Sequence, residues 1–247
     1  MKASPEAQLQ LLELADIDAE LGRIEHRRRG LPEHEQVARL ETRDDELRDA
    51  IAELTARGSD LKREQAKAEA DVEQVRSRID RDRQRLDTGS VSSPRELENL
   101  QSEVVSLQRR QSDLEEIVLD VMERRESAEA SLDRATAERS QLEGELRTVL
   151  AARDSALGEL AEQAKAAASR RGEVAGQVPA DLVDLYDKLR TQHGGVGAAA
   201  LRQRRCQGCN LTMNTVDLNA IRQAPADEVL RCEECRRILV RTADSGL

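Results

Sequence analysis

Hydrophobic residues recur at spacings of three and four over most of the chain, and the breaks in this pattern divide it into three long segments. The first stripe predicts a helix from about Pro5 to Arg29, with Ser4 as its N-cap and Pro5 in the first turn. Gly30 and Pro32 interrupt the stripe, because glycine lowers helix propensity and proline lacks a backbone donor. We expect a kink or a short break there, followed by a second helix.

The second and third segments carry heptad repeats, which are typical of coiled coils. One register runs from Leu47 to Leu86, and another runs from Leu97 to Leu160. Between them, residues 87–94 read Asp-Thr-Gly-Ser-Val-Ser-Ser-Pro, a concentrated turn signal. Three seam positions of the third segment are arginines, and we expect their stems to line the seam while the guanidinium groups reach water: Arg125, Arg139 and Arg153.

The two arms of the pattern, residues 5–86 and 94–170, are nearly equal in length and a short turn joins them. Such arms can pair within one chain, so the pattern predicts a mainly α protein with a long antiparallel coiled-coil hairpin over residues 1–170, turning near 87–94. A parallel homodimer of either arm is the alternative, and it would require the turn to open. We therefore expect a monomeric hairpin or a weak dimer.

The heptad pattern lapses after residue 170, where Gly172, Gly176 and Pro179 are typical of a linker. Leu182, Tyr186 and Leu189 then share one face of a short helix, which glycines at 194, 195 and 197 end. We interpret residues 171–200 as a linker with a short helix. The helix is expected to pack on the base of the hairpin and to support the C-terminal module.

Two Cys-x-x-Cys pairs, Cys206 with Cys209 and Cys232 with Cys235, lie 22 residues apart. Four thiolates suit tetrahedral Zn²⁺, so the pairs predict one structural zinc ion per chain within a small β zinc ribbon over residues 201–247. Gly208 is expected to take a positive φ and Asn210 tolerates one, whereas in the second pair Glu234 or Arg236 must accept that geometry.

Strand-like segments flank the cysteine pairs at residues 198–205, 229–231 and 238–240, which predicts two short hairpins joined by the metal. So small a module buries too little apolar surface to fold alone, and the metal must supply much of its stability.

Signals of catalysis are missing from the sequence. Four cysteines would close the coordination sphere, whereas a catalytic zinc keeps an open position. The three histidines are scattered, and no glycine-rich phosphate loop precedes a lysine and a hydroxyl residue. We expect a protein that is not an enzyme.

Composition and charge narrow the partners and the compartment. The chain lacks Phe and Trp, and 36% of its residues are charged, which is typical of long helices rather than of a broad globular core. Its net charge of −10 makes the body a poor ligand for nucleic acid or anionic lipid. No secretory signal and no membrane-spanning run are visible, so we expect a cytoplasmic protein without membrane contact.

The ribbon is the basic part of the chain, with eight arginines against five acidic residues in 201–241. These arginines can simply solubilise the ribbon and offset the charge of the metal site. They can also contact phosphates of RNA or DNA, although no aromatic platform for bases accompanies them. The candidate nucleic-acid contacts are Arg202, Arg204, Arg205, Arg236 and Arg237.

The order of parts resembles the bacterial C4-type zinc ribbon domain family: a helical hairpin, a Pro179–Arg190 helix reading Pro-Ala-Asp-Leu-Val-Asp-Leu-Tyr-Asp-Lys-Leu-Arg, and the two cysteine pairs. The resemblance covers nearly the whole chain and implies zinc ligation by Cys206, Cys209, Cys232 and Cys235. Some members of that family are linked to an alternative sigma factor, to flagellar or type III secretion components, or to messenger RNA.

The sequence therefore favours a zinc-binding scaffold or adaptor that contacts proteins through its coiled coil and its ribbon, in transcription regulation or in a secretion-related assembly. The alternative is a regulator that binds nucleic acid through the arginine-rich ribbon.

Overall fold

A computed structural model describes residues 1–90 and 93–247. The fold is mainly helical, with a long helical hairpin and a small C-terminal sheet, as the sequence predicts. Its elements, in chain order, are α1 (Pro5–Arg29), α2 (Pro32–Asp87), α3 (Pro94–Ala175), α4 (Ala180–Gln192), β1 (Ala198–Arg202), β2 (Arg205–Cys206), α5 (Thr215–Gln223), β3 (Leu230–Arg231) and β4 (Ile238–Arg241).

Local sequence signals set the ends of the long helices. The Ser4 hydroxyl accepts a hydrogen bond from the Ala7 amide at 3.2 Å, which confirms the predicted N-cap of α1. The break at Gly30 and Pro32 is confirmed, since α1 ends at Arg29 and α2 begins at Pro32. Of the predicted turn at 87–94, residues 91 and 92 lie outside the described residues. The Ser93 hydroxyl caps α3 by accepting from the Glu96 amide at 3.2 Å.

The chain divides into two compact units, one of residues 1–35 and 150–247 and one of residues 36–149. In the second unit, α2 and α3 run antiparallel and bury their heptad positions against each other, among them Leu47, Leu61, Ile79, Leu114 and Val121. The predicted seam is confirmed here.

Polar layers interrupt this seam, and the expectation for two of its arginines needs correction. Arg139 donates from Nε to the buried Asp44 carboxylate at 2.9 Å, and Arg125 donates from Nη1 to the Gln65 amide oxygen at 2.8 Å. Both guanidinium groups therefore bond across the hairpin rather than simply reaching water. For Arg139 the reason is the buried Asp44 carboxylate on the opposite helix, which attracts the guanidinium more strongly than bulk solvent does.

The first unit has a broader core. Leu11 and Leu14 of α1, Leu182 and Tyr186 of α4, and Ile238 of β4 are fully buried in one cluster. That cluster also takes in Ala167 and Val174 near the end of α3. The short helix α4 thus packs on α1 and on the end of α3, as predicted.

The sheet in this unit has the order β2-β1-β4-β3. The two predicted hairpins, β1 with β2 and β3 with β4, are both antiparallel. The two hairpins are joined by a parallel pairing of β1 with β4, in the register Ala198 with Ile238. The sequence does not predict this pairing.

Alternation along the paired strands gives the sheet two different buried faces. Ala198, Ile238 and Val240 belong to the helical core, whereas Ala199, Leu201 and Leu239 belong to a second cluster with Cys206 and Cys232. The sheet thus connects the helical core on one side with the cysteine pairs on the other.

Candidate metal centre

The four cysteines converge on one point in the first unit. Their Sγ atoms all lie within 4.8 Å of one another, with Cys206 and Cys235 at 3.8 Å and Cys209 and Cys232 at 3.9 Å. Four sulfurs at about 2.3 Å from a tetrahedral zinc ion stand roughly 3.8 Å apart. Two of the six sulfur–sulfur distances match this value and none exceeds 4.8 Å, so the arrangement fits Zn²⁺.

Both cysteine pairs use the same backbone geometry. The amide of Asn210 donates to the Cys206 carbonyl at 2.8 Å, and the amide of Arg236 donates to the Cys232 carbonyl at 2.8 Å. Asn210 has φ 58° and Arg236 has φ 61°, so each loop closes on a residue in the left-handed region. The positive φ expected to be tolerated at Asn210 is confirmed. In the second pair it is Arg236, and not Glu234, that adopts this geometry.

Gly208 is required for a different reason from the one expected. It does not adopt a positive φ. A Cβ atom at this position would lie 2.9 Å from Cβ of Ala199 and 2.9 Å from Cδ of Arg237. The glycine is needed because β1 and the Arg237 side chain pass directly over the loop.

The surroundings of Cys206 and Cys232 raise the pKa of both thiols, mainly by burial. Cys206 and Cys232 are buried, and Cys209 and Cys235 are half-buried. Burial raises the pKa of the Cys206 thiol to about 12. The Gly208 amide donates to Cys206 Sγ at 3.4 Å, a contact that favours the thiolate once a cation is present. The chemistry of this donor set is that of a metal site, since zinc supplies the compensating charge.

The centre has four sulfur ligands available and leaves no coordination position open, which is the composition of a structural zinc site. Within residues 1–90 and 93–247, these cysteines form the one cluster of three or more potential metal-ligating side chains. Over the same residues, no helix is long and apolar enough to cross a membrane.

The arginines of the ribbon separate into two groups. Arg202, Arg204, Arg205 and Arg236 are exposed. Arg237 is half-buried, and it donates to the carbonyl oxygens of Val196 at 3.0 Å, Gly208 at 3.2 Å and His193 at 2.8 Å. The Arg237 guanidinium thus ties the first cysteine loop to the segment after α4.

Arg241 has a similar structural role. It donates to the carbonyl oxygens of Ala224 at 2.8 Å and Ala226 at 3.0 Å, which closes the end of α5. Sequence reasoning grouped Arg241 with the other arginines of the ribbon, because composition does not reveal which guanidinium groups meet backbone carbonyls.

Sequence reasoning also missed an ionic cluster near the middle of α1. The Asp18 carboxylate, 0% exposed, accepts from Tyr186 Oη at 2.8 Å, from Arg171 Nε at 2.8 Å and from Arg190 Nη1 at 3.2 Å. These contacts join α1, α3 and α4. The available signal was that the only tyrosine of the chain lies on an apolar face, where a buried hydroxyl needs a partner.

Residues 14–194 match the family described as the CT398-like coiled coil hairpin domain, and residues 205–239 match the C4-type zinc ribbon domain. An uncharacterized protein of Mycobacterium tuberculosis is 36% identical over 241 residues, which is 98% of both chains.

Solved structures agree with these matches. A structure from Mycobacterium smegmatis superposes with a TM-score of 0.84 at 37% identity, over 98% of this chain and 100% of the other. CT398 from Chlamydia trachomatis gives a TM-score of 0.74 at 18% identity, over 96% and 98% of the two chains. The latter likeness concerns the fold alone. The resemblance inferred from the helix and the cysteine pairs is confirmed.

Proposed function

This chain belongs to the CT398-like coiled coil hairpin family and ends in a C4-type zinc ribbon, and from this premise we propose that it is a non-enzymatic scaffold or adaptor. The cysteine centre supports the non-enzymatic part, because a closed set of four thiolates stabilises a fold and offers no site for a substrate. We assign Cys206, Cys209, Cys232 and Cys235 as the ligands of one structural zinc ion.

The observation that carries the adaptor role is the exposed surface of α2 and α3 in residues 36–149. A hairpin seam buries one stripe of each helix, and the remaining faces are open to partners. Several large apolar side chains on α3 are among the exposed ones, including Val105, Ile117 and Leu119. Reduced thiols and soluble helices of this composition suit the cytoplasm, which is the compartment we propose.

A pull-down of the tagged full-length chain from a native lysate, with and without nuclease, tests this role. A defined protein that remains bound after nuclease treatment supports the adaptor. Loss of every protein partner on nuclease treatment would overturn it.

A second function, nucleic-acid binding by the ribbon, rests on the four exposed arginines Arg202, Arg204, Arg205 and Arg236. Changing Arg204, Arg205 and Arg236 to Ala should weaken such binding strongly and reduce its dependence on salt. Arg237, although a candidate contact from the sequence, is left unchanged because its guanidinium holds three backbone carbonyls. A control variant, Arg109→Ala with Arg110→Ala on α3, removes exposed arginines away from the ribbon and should leave the binding intact.

A further inference from the structure

An exposed apolar strip lies on one flank of α3. Leu119 is 59% exposed and Met122 is 37% exposed, and the two side chains neighbour each other at a spacing of three residues. Val105, which is 50% exposed, occupies the same heptad position as Leu119 two repeats earlier. Ser112 holds the same heptad position between Val105 and Leu119, so the apolar surface is centred on the adjacent pair Leu119 and Met122. Isolated exposed apolar residues are common, but an adjacent pair beside a groove indicates a contact surface.

The strip borders a groove between α2 and α3. The groove has a volume of about 430 Å³, and its apolar lining consists of Val72 on α2 with Val118 and Leu119 on α3. Val72 and Val118 are seam residues whose outer edges face this groove. The surface therefore combines a depression between two helices with apolar side chains that project beside it.

Charges around the strip are strongly biased toward one sign. Arg76 is the cation that lines the groove, and it pairs with Glu115 at 3.8 Å and with Glu73 at 3.7 Å. Glutamates line the groove or lie three or four residues from Leu119 and Met122 along α3: Glu69, Glu73, Glu115, Glu116, Glu123 and Glu126. Arg125 lies three residues from Met122, but its guanidinium already contacts Glu129 at 3.2 Å and Gln65 at 2.8 Å. The rim is acidic, because the carboxylates outnumber Arg76 and Arg125.

The acidic rim distinguishes between two occupants of the groove. A second copy of this chain would bring the same glutamates against the strip, because a two-fold contact pairs a surface with itself. Like charges brought together in this way oppose the contact. A partner with cations beside its apolar residues would satisfy both features.

We propose that this strip and groove, defined by Val72, Val118, Leu119 and Met122, bind a basic amphipathic helix of a partner protein. The proposal rests on the adaptor function and names its partner class. An amphipathic helix presents apolar residues at i, i+3, i+4 and i+7, which matches a groove between two parallel ridges of side chains. Its lysines or arginines pair with the glutamate rim and fix the helix over the groove.

The test uses the full-length zinc-loaded chain and a synthetic 18-residue helical peptide with a leucine stripe and lysine flanks. A control peptide has the same leucine stripe but glutamate flanks in place of lysine. Binding is measured by fluorescence anisotropy at low and high salt. We expect the lysine peptide to bind with an affinity that falls as salt rises, and the glutamate peptide not to bind.

Two matched variants locate the binding. Leu119→Ser combined with Met122→Ser should weaken the lysine peptide by roughly tenfold or more, because two apolar contacts are lost. Ile117→Ser removes an equally exposed residue, 46% accessible, from the other flank of α3, and it should change the affinity less than about twofold. Circular dichroism melts check that both variants keep the fold, as expected for exposed positions.

Equal affinities of the double variant and the unchanged chain would overturn the proposal, and so would equal binding of the two peptides. Sedimentation that shows a dimer lost in the double variant would assign the strip to a second copy and also overturn it. If the double variant still retains a nuclease-resistant protein in the pull-down, the adaptor function survives while this inference fails.

Discussion

The two compact units differ in how deeply their side chains are buried. Among the largest fully buried side chains that the structure describes, Val121 is the one from residues 36–149. The others belong to residues 1–35 and 150–247, including Leu11, Tyr186 and Ile238. A coiled-coil seam buries a single layer, whereas the first unit combines helices, a sheet and a metal centre. Stability is therefore concentrated in the first unit, whereas the second unit provides exposed surface for binding partners.

Loss of the metal should have the largest effect on the stability of the first unit. Cys232→Ser removes one of the four proposed ligands, and structural zinc in small modules contributes roughly 10–16 kcal/mol of apparent binding free energy. We expect the ribbon to unfold while the helicity of residues 36–149 persists. Zinc content by elemental analysis and far-ultraviolet circular dichroism measure the two effects.

The control for that variant is Glu234→Ser, an exposed change between the cysteines of the same pair. It should keep a full zinc content. A Cys232→Ser chain with one zinc ion and a folded ribbon would contradict the ligand assignment.

Removal of the buried carboxylate should have the next largest effect. Asp18→Ala leaves the Tyr186 hydroxyl without its partner in the core and leaves the Arg171 guanidinium with Asp187 as its remaining carboxylate. Breaking a buried pair costs about 3–5 kcal/mol, and the partly exposed arginines place this case near 3 kcal/mol. Urea unfolding monitors the loss, with the exposed Asp16→Ala as the control. A change below 1 kcal/mol would show that the cluster contributes little.

The seam should respond more weakly. Val121→Ala removes two methyl groups from the most buried position of the hairpin unit, and we expect a loss of roughly 2 kcal/mol. Val105→Ala, on the exposed flank of the same helix, should change stability by less than about 0.5 kcal/mol. Equal losses from the two variants in urea unfolding would contradict the assigned seam.

High pH should produce the smallest effect. Burial, together with the hydrogen bond to Asp18, raises the pKa of Tyr186 well above its usual value. The folded state therefore keeps a proton that the unfolded state loses above pH of about 10, and stability should fall with rising pH there, by at most about 1.4 kcal/mol per pH unit. Unfolding midpoints between pH 9 and 11 measure the slope. Tyr186→Phe should remove this contribution, and an unchanged slope would contradict it.

The helices could be predicted closely because their signals are local. The spacing of apolar residues, the serine caps and the Gly30–Pro32 break depend on neighbours within a turn or two, and the bounds of α1 follow from them. Each cysteine pair is also a local signal, and the preference of zinc for four thiolates allowed the two pairs to be assigned to one centre. The division into residues 1–170, 171–200 and 201–247 stays a prediction.

The unpredicted features depend on contacts between distant residues. The parallel pairing of β1 with β4, the Arg139 bond to Asp44 and the role of Gly208 all need the tertiary arrangement. The helix α5 was missed because nine residues are too few to display a period. Asn214 caps this helix, since its side chain accepts from the Asp217 amide at 2.8 Å.

Native-state hydrogen exchange of the zinc-loaded protein, read by mass spectrometry at peptide resolution, tests the division between the two units most directly. Amides of α1, α4, β1 and β4 should exchange with the free energy of global unfolding, whereas amides within residues 36–149 should exchange through smaller local openings. Slower exchange in residues 36–149 than in those elements would contradict the claim that the first unit carries the stability and the hairpin provides the binding surface.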